Sequence, residues 1–493
     1  MILLPEDVLF SIFLFADFDS LHALTLTSKQ LNNLIYKRCE LWSYLCRFYC
    51  PNFFANNGEC AYHYHFPRSN PSNHHFPFPL SSVSSLSSSL VVVLDNGHLC
   101  RQKLQFFMNN DRKFSFEQLD KDSLSRGRYL HRSCKVPNQL QCQFPCEKLG
   151  TSDHMWLFFG GEENELLNDL WLMWYDESNT KVMLKEVHVE KGDIAPTPRK
   201  ASTICTIDTL DRSRGEEIYL FAGAENFHAF DDNINHAFTD ELWKLNLQVC
   251  PQQNNDRFTA SWQLISKDNP NGPLGRWGHS CVSYGCYMVV FGGSCWGVTF
   301  DDLWVLDCSV TTKQLKWQQI KFLPEVNCPS SRGGHSASVS PDGHMYIFGG
   351  NNVDRCFNEL WRLDLKPFMK NKSSLSTPCH WGWELINSAS THPPPPGIGH
   401  ASICIGNNIL IYGGRNLFRR EFNPHVYLFD TYKSSWIKIL DSSDVADRTG
   451  HCVFSCSSGI IVLGGLTHKS MSNDVLLLNL FGSFTGLKPG LLK

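Results

Sequence analysis

The chain has 493 residues, a formal net charge of −4, 42% hydrophobic and 13% aromatic residues. Such a composition is globular and long enough for more than one domain, and it excludes a global electrostatic pull toward nucleic acid or anionic membrane. The 20 cysteines are scattered, without any C-x-x-C pair, and read as reduced thiols of a cytoplasmic or nuclear protein.

The N-terminal stretch MILLPEDVLFSIFLFA lacks Lys and Arg and carries Glu6 and Asp7 near its start. A secretory signal needs a basic segment before its apolar run, so none is expected. The apolar run from Val8 to Ala16 is too short to span a bilayer. Over residues 1–50, Leu9, Ile12, Phe13, Leu21, Leu24, Leu31 and Leu34 recur at helical spacing, which places them on shared helix faces. Residues 51–112 begin with the Pro-, Ser- and Asn-rich runs HYHFPRSNPSNHHFPFP and SSVSSLSSS. Those runs predict a linker, and a short helical piece over Leu90–Phe107 follows it.

From residue 113 the pattern is β and repetitive. Apolar strands end in glycines six times: WLFFGG at Gly161, YLFAG at Gly223, MVVFGG at Gly293, MYIFGG at Gly350, ILIYGG at Gly414 and IIVLGG at Gly465. Ahead of them stand the clusters beginning Arg128, Arg199, Arg276, Arg332, Gly397 and Arg448, most of which run into Gly-His. Behind them come strands bearing Trp171, Trp243, Trp304, Trp361 and Tyr427, then fourth strands bearing Trp262, Trp317, Trp383 and Trp436. Four strands per unit at a period near 50 residues are the signature of a propeller. The sixth unit lacks a fourth Trp strand, whereas FSFEQL over 113–119 precedes the first unit. Residues 113–119 are therefore expected to supply the outer strand of the last blade, leaving no open edge.

These motifs carry two resemblances. Residues 113–480 resemble the kelch-repeat family, with departures at Lys200-Ala201-Ser202 in the second unit and at Gly397 in the fifth. Residues 4–50, with Leu4-Pro5, the acidic pair, the helical leucines, Ser28-Lys29 and Trp42, resemble the F-box. Together they imply a multidomain chain: an all-α F-box module (1–50), a linker (51–112), an all-β six-bladed kelch propeller (113–480) and a tail (481–493). The F-box resemblance implies docking on a Skp-type adaptor and thence a cullin scaffold, with Leu4, Pro5, Leu9, Ile12, Leu21 and Leu24 in the docking surface or the small core behind it. The pair implies a non-catalytic receptor that holds an unidentified target protein for ubiquitin transfer. A ligase-independent kelch scaffold and a metal-dependent kelch enzyme are the alternatives.

No catalytic motif is found among G-x-S-x-G, phosphate loops or H-E-x-x-H. His228, Asp232 and His236 have i, i+4, i+8 spacing, but a solvated loop accounts for them better than a metal site. Cys60, His63, His65, His74 and His75 fit no zinc template. No cofactor is expected, flavin included, and no nucleic-acid or membrane partner. The binding hypothesis places Arg128, Arg199, Arg276, Arg332 and Arg448 around the channel mouth, with Arg355, Arg415, Arg419 and Arg420 in loops above them. Guanidinium forks suit carboxylate or phosphate groups on a target. The competing role for the ring arginines is bonding to backbone carbonyls within the blades.

Overall fold

The computed structural model describes residues 116–120, 127–141, 155–176, 181–189, 194–211, 213–225, 238–250, 257–295, 297–370, 381–387, 393–440, 447–456 and 459–479. They form a six-bladed propeller. Blade 1 runs through Arg132–Lys135, Met155–Glu162, Leu166–Asp176 and Lys181–Glu186. Blade 2 uses Thr203–Asp208, Glu216–Ala224, Phe238–Cys250 and Arg257–Ser266. It also gains a parallel fifth strand, His188–Val189, that the repeat pattern does not announce. Blades 3, 4 and 5 begin with inner strands Ser280–Tyr284, Ser336–Val339 and Ala401–Ile405.

Blade 6 contains Cys452–Cys456, Gly459–Leu463 and Val475–Asn479. Its outer strand is Phe116–Asp120, paired antiparallel with Val475–Asn479 from Phe116↔Leu478 to Asp120↔Val475. The strand that comes first in the described chain thus completes the sheet that comes last.

The second strand of each blade lies between two neighbours, so it can be apolar at every position. Tyr287–Phe291, Asn408–Tyr412 and Gly459–Leu463 are buried throughout. Fourth-strand tryptophans join the blades. Trp262, Trp317, Trp383 and Trp436 pack on Phe159, Phe221, Phe291 and Phe348 of the preceding blade, with ring centroids 5.5, 4.9, 4.9 and 5.4 Å apart. Each such ring is worth about 1.5–3 kcal/mol of burial plus about 0.5–1.5 kcal/mol for the aromatic pairing.

At the mouth the blades are tied by a closed circle of backbone hydrogen bonds. Leu130 N–H donates to Gly450 O (2.9 Å), Gly450 to Gly399 (2.6 Å), Gly399 to Gly334 (2.9 Å), Gly334 to Gly278 (2.8 Å), Gly278 to Ala201 (3.2 Å) and Ala201 to Leu130 (3.0 Å). All six residues have positive φ, which explains the glycine before His279, His335, His400 and His451. Leu130 and Ala201 accept the same conformation without that freedom. A Cβ on Gly450 would overlap the Tyr129 ring, and its φ is +65°. Gly450→Ala is expected to lower stability by at least the roughly 1–2 kcal/mol cost of a left-handed alanine, read as a fall in the thermal midpoint. Gly297→Ala, where φ is +77° but a Cβ meets nothing within 4 Å, should cost less, because it pays the left-handed conformation without the overlap.

Candidate functional site

The ring arginines do not present their forks to a ligand, which corrects the sequence-based placement. Arg128, Arg199, Arg276, Arg332 and Arg448 are each 0% exposed. Each donates to the carbonyl that precedes the last glycine of its blade's second strand: Gly160, Ala222, Gly292, Gly349 and Gly464. Each also meets a carboxylate at the start of the third strand: Asp169, Glu241, Asp302, Glu359 and Asp474. Arg276 is bidentate on Asp302 at 2.6 and 2.9 Å. The same carboxylates accept the indole N–H of Trp171, Trp243, Trp304 and Trp361. A buried guanidinium is retained only when paired and hydrogen-bonded, and here every blade that has the arginine has the acid.

Blade 5 confirms the structural role by losing both at once. Gly397 stands at the arginine position and His425 at the acid position. The amide of Asn423 donates to Gly413 O at 3.3 Å, the carbonyl a guanidinium would have held.

Behind the backbone circle lies a second ring. His279 and His335 reach back to Thr203 Oγ1 and Ser280 Oγ of the preceding blade, both at 2.8 Å. His131, His400 and His451 are buried as well. Burial drives all five below the usual imidazole range, His335 to about 3 and His400 to about 4. The neighbouring motif arginine pushes His131, His279, His335 and His451 the same way. They are neutral structural groups at physiological pH.

The central cavity measures about 730 Å³ and opens on the face that carries the connections between blades and the hairpins joining second to third strands. Its wall is made of serine and threonine hydroxyls, glycine backbone and neutral histidines, with Phe238 and Trp277 stacked at the rim. Among the described residues, Arg132 and Arg415 line it and no Asp or Glu does. Arg415 was expected on this face and is there. Arg132 was missed. It occupies the inner-strand position where other blades carry Thr203, Ser280, Ser336, Ala401 and Cys452, so a lone charge among small residues was the available signal. Arg355 is exposed and paired with Glu359 at 3.3 Å, while Arg419 and Arg420 are exposed on the blade 5 hairpin. None of these three lines the cavity. Leu4, Pro5, Leu9, Ile12, Leu21 and Leu24 lie outside the described residues, as do His228, Asp232, His236, Cys60, His63, His65, His74 and His75. Among the described residues no group of three or more His, Cys, Asp or Glu is placed to hold a metal, and no helix is long and apolar enough to cross a membrane.

Comparison with known proteins adds the N-terminal segment. Residues 148–378 match the KLHDC2/KLHL20/DRC7 kelch-repeats domain, and residues 1–48 match the F-box-like domain. An F-box-like domain followed by kelch repeats is the architecture of an F-box/kelch-repeat protein. One such protein of Arabidopsis thaliana is 27% identical over 282 residues, which cover 55% of this chain and 51% of that protein. Acyl-CoA-binding domain-containing protein 4 of the same plant is 31% identical over 160 residues, 32% of this chain and 21% of the relative. Host cell factor 2 of Homo sapiens is 26% identical over 300 residues, 56% of this chain and 34% of the relative. The F-box/kelch chain therefore aligns with about half the length of the first of these relatives and less of the others.

Proposed function

We propose that this F-box/kelch protein is the substrate-recognition subunit of a Skp–cullin–F-box ubiquitin ligase, non-catalytic in itself. The observation that supports this reading most is the coexistence of an F-box-like match at residues 1–48 with a propeller whose cavity opens on a loop-bearing face. Loops over a rigid scaffold are where binding residues concentrate. The propeller holds the target, and the F-box-like segment recruits the transfer machinery, raising the local concentration of target lysines near the conjugating enzyme. The work of binding falls to the cavity and its rim, because the ring arginines are committed to the blades.

The test is co-purification with a Skp-type adaptor and cullin. The full chain is expected to capture both. A chain lacking residues 1–48 is expected to lose both and to keep the propeller's unfolding transition. Failure of the full chain to capture the adaptor overturns the ligase reading.

A further inference from the structure

The inner strands of successive blades run side by side around the channel, and their side chains meet in one register. The third residue of an inner strand meets the second residue of the inner strand that follows. Between blades 4 and 5 the pair is Ser338 of Ser336–Val339 and Ser402 of Ala401–Ile405, with hydroxyl oxygens 2.8 Å apart. Between blades 2 and 3 it is Cys205 of Thr203–Asp208 and Cys281 of Ser280–Tyr284, with sulfurs 3.6 Å apart. The same spacing sets Cys134 against Ile204, Val282 against Ala337, Ile403 against Val453 and Phe454 against Ser133. Of the six steps around the ring, the step from blade 2 to blade 3 is the one that joins two thiols.

The two thiols differ in access. Cys281 is partly buried and lines the central cavity, so a small solute can reach it. Cys205 is buried beside it. The bond to Cys281 and burial hold the Cys205 thiol well above its usual range, which keeps it protonated while its partner is reduced. Neighbouring thiols have other partners. Cys308, Cys328, Cys404 and Cys452 lie against backbone carbonyls, at 3.9, 3.6, 3.1 and 3.4 Å.

We propose that Cys205 and Cys281 are an oxidative modification site, at which hydrogen peroxide oxidises Cys281 and Cys205 then closes a reversible disulfide between blades 2 and 3. In the first step the Cys281 sulfur attacks the peroxide. An S–O bond forms, the O–O bond breaks, and the second oxygen leaves with the thiol proton as water, so that Cys281 becomes a sulfenic acid. In the second step the Cys205 sulfur attacks the Cys281 sulfur. The S–S bond forms, the S–O bond breaks, and the hydroxyl leaves with the Cys205 proton as a second water. Two thiols lose two electrons, and one peroxide gains them. The sulfurs of a disulfide lie about 2.0 Å apart, so this pair closes by about 1.6 Å, a movement that rotation about the two Cα–Cβ bonds can supply. The bridge joins residues 76 apart in the chain, and a long closed loop restricts the unfolded state strongly. Oxidation thus clamps two blades of the ring, and thiol reductants release them. The site is independent of the receptor reading.

The experiment treats the folded full chain with hydrogen peroxide, blocks remaining thiols with an alkylating agent, and maps linked peptides by mass spectrometry with and without dithiothreitol. The Cys205–Cys281 pair is expected as the dominant link, lost on reduction, while Cys134 stays alkylatable. The urea midpoint should rise on oxidation and return on reduction. Cys205→Ser should leave Cys281 as a sulfenic acid that dimedone traps, and Cys281→Ser should leave Cys205 unoxidised. Both variants copy the Ser338–Ser402 pair and are expected to fold, which their unfolding transitions check. The proposal is overturned if the dominant link joins other cysteines, if the Cys205–Cys281 link forms only in denaturant, or if Cys281 does not react with peroxide. An unmoved or lowered urea midpoint in the linked protein overturns the clamp.

Discussion

Asp302→Ala is expected to destabilise the propeller by about 3–5 kcal/mol, the usual cost of leaving a buried charge without its partner. Arg276 is wholly buried, bidentate on Asp302, and stacked over Phe300 at 4.2 Å. Once the carboxylate is gone, nothing else among its contacts balances the guanidinium charge. Arg276→Met should cost less, because Asp302 keeps 16% of its side chain in solvent and retains the Trp304 indole N–H at 2.7 Å. The double variant Arg276→Met with Asp302→Ala should then be more stable than Asp302→Ala alone. Urea denaturation of the full chain, followed by tryptophan fluorescence, measures all three. If removing the acid costs no more than removing the base, the pair is not the uncompensated-charge system described above.

Acid is the second large lever. The five buried histidines hold fewer protons when folded than their unfolded counterparts near pH 6.5. The unfolded chain therefore takes up more protons as pH falls, and acid favours unfolding. The stability that depends on neutral imidazole is complete above about pH 6.5. It declines as pH falls toward about 4 for His400 and about 3 for His335. Inside the window each histidine costs up to about 1.4 kcal/mol per pH unit, so five in one ring make a steep transition. Carboxylates extend the loss further down. Burial is the largest single influence and would raise Glu241 and Glu359, but Arg199, Trp243 and Lys267 together outweigh it at Glu241, and Arg332, Trp361 and Arg355 together at Glu359, so both are lowered. Tryptophan fluorescence against pH should show cooperative unfolding between pH about 6 and 4. His335→Gln, which keeps a donor for Ser280 and does not titrate, should shift that transition to lower pH. An unmoved transition would remove His335 from the explanation.

The propeller was legible because its strands are constrained from both faces. A strand buried on both sides reads as an unbroken apolar run, and the bend beyond it needs positive φ, so MVVFGG and its five counterparts announce themselves. Trp262, Trp317, Trp383 and Trp436 were legible as fillers between blades for the same reason: no single blade could bury them. The arginines were misplaced because Arg276 and Asp302 are far apart in sequence and meet only when the third strand returns beside the second. The clue lay in the repeat itself, where blade 5 gives up Arg and acid together. The sequence also hid the His188–Val189 strand, two residues with no hydrophobic pattern of their own. Arg132 escaped notice because attention followed residues that recur, and its meaning lies in not recurring.

The pairing of Phe116–Asp120 with Val475–Asn479 sets a condition on biosynthesis. A chain leaving the ribosome has the Phe116–Asp120 strand available before any blade is complete, but the partner arrives only after five other blades have been translated. Until then the earliest strand has no sheet to join, and any product cut short in blade 6 leaves an open edge that invites chaperones or other nascent chains. A premature stop near the end of the message should thus yield a chain removed by quality control rather than a stable shortened propeller.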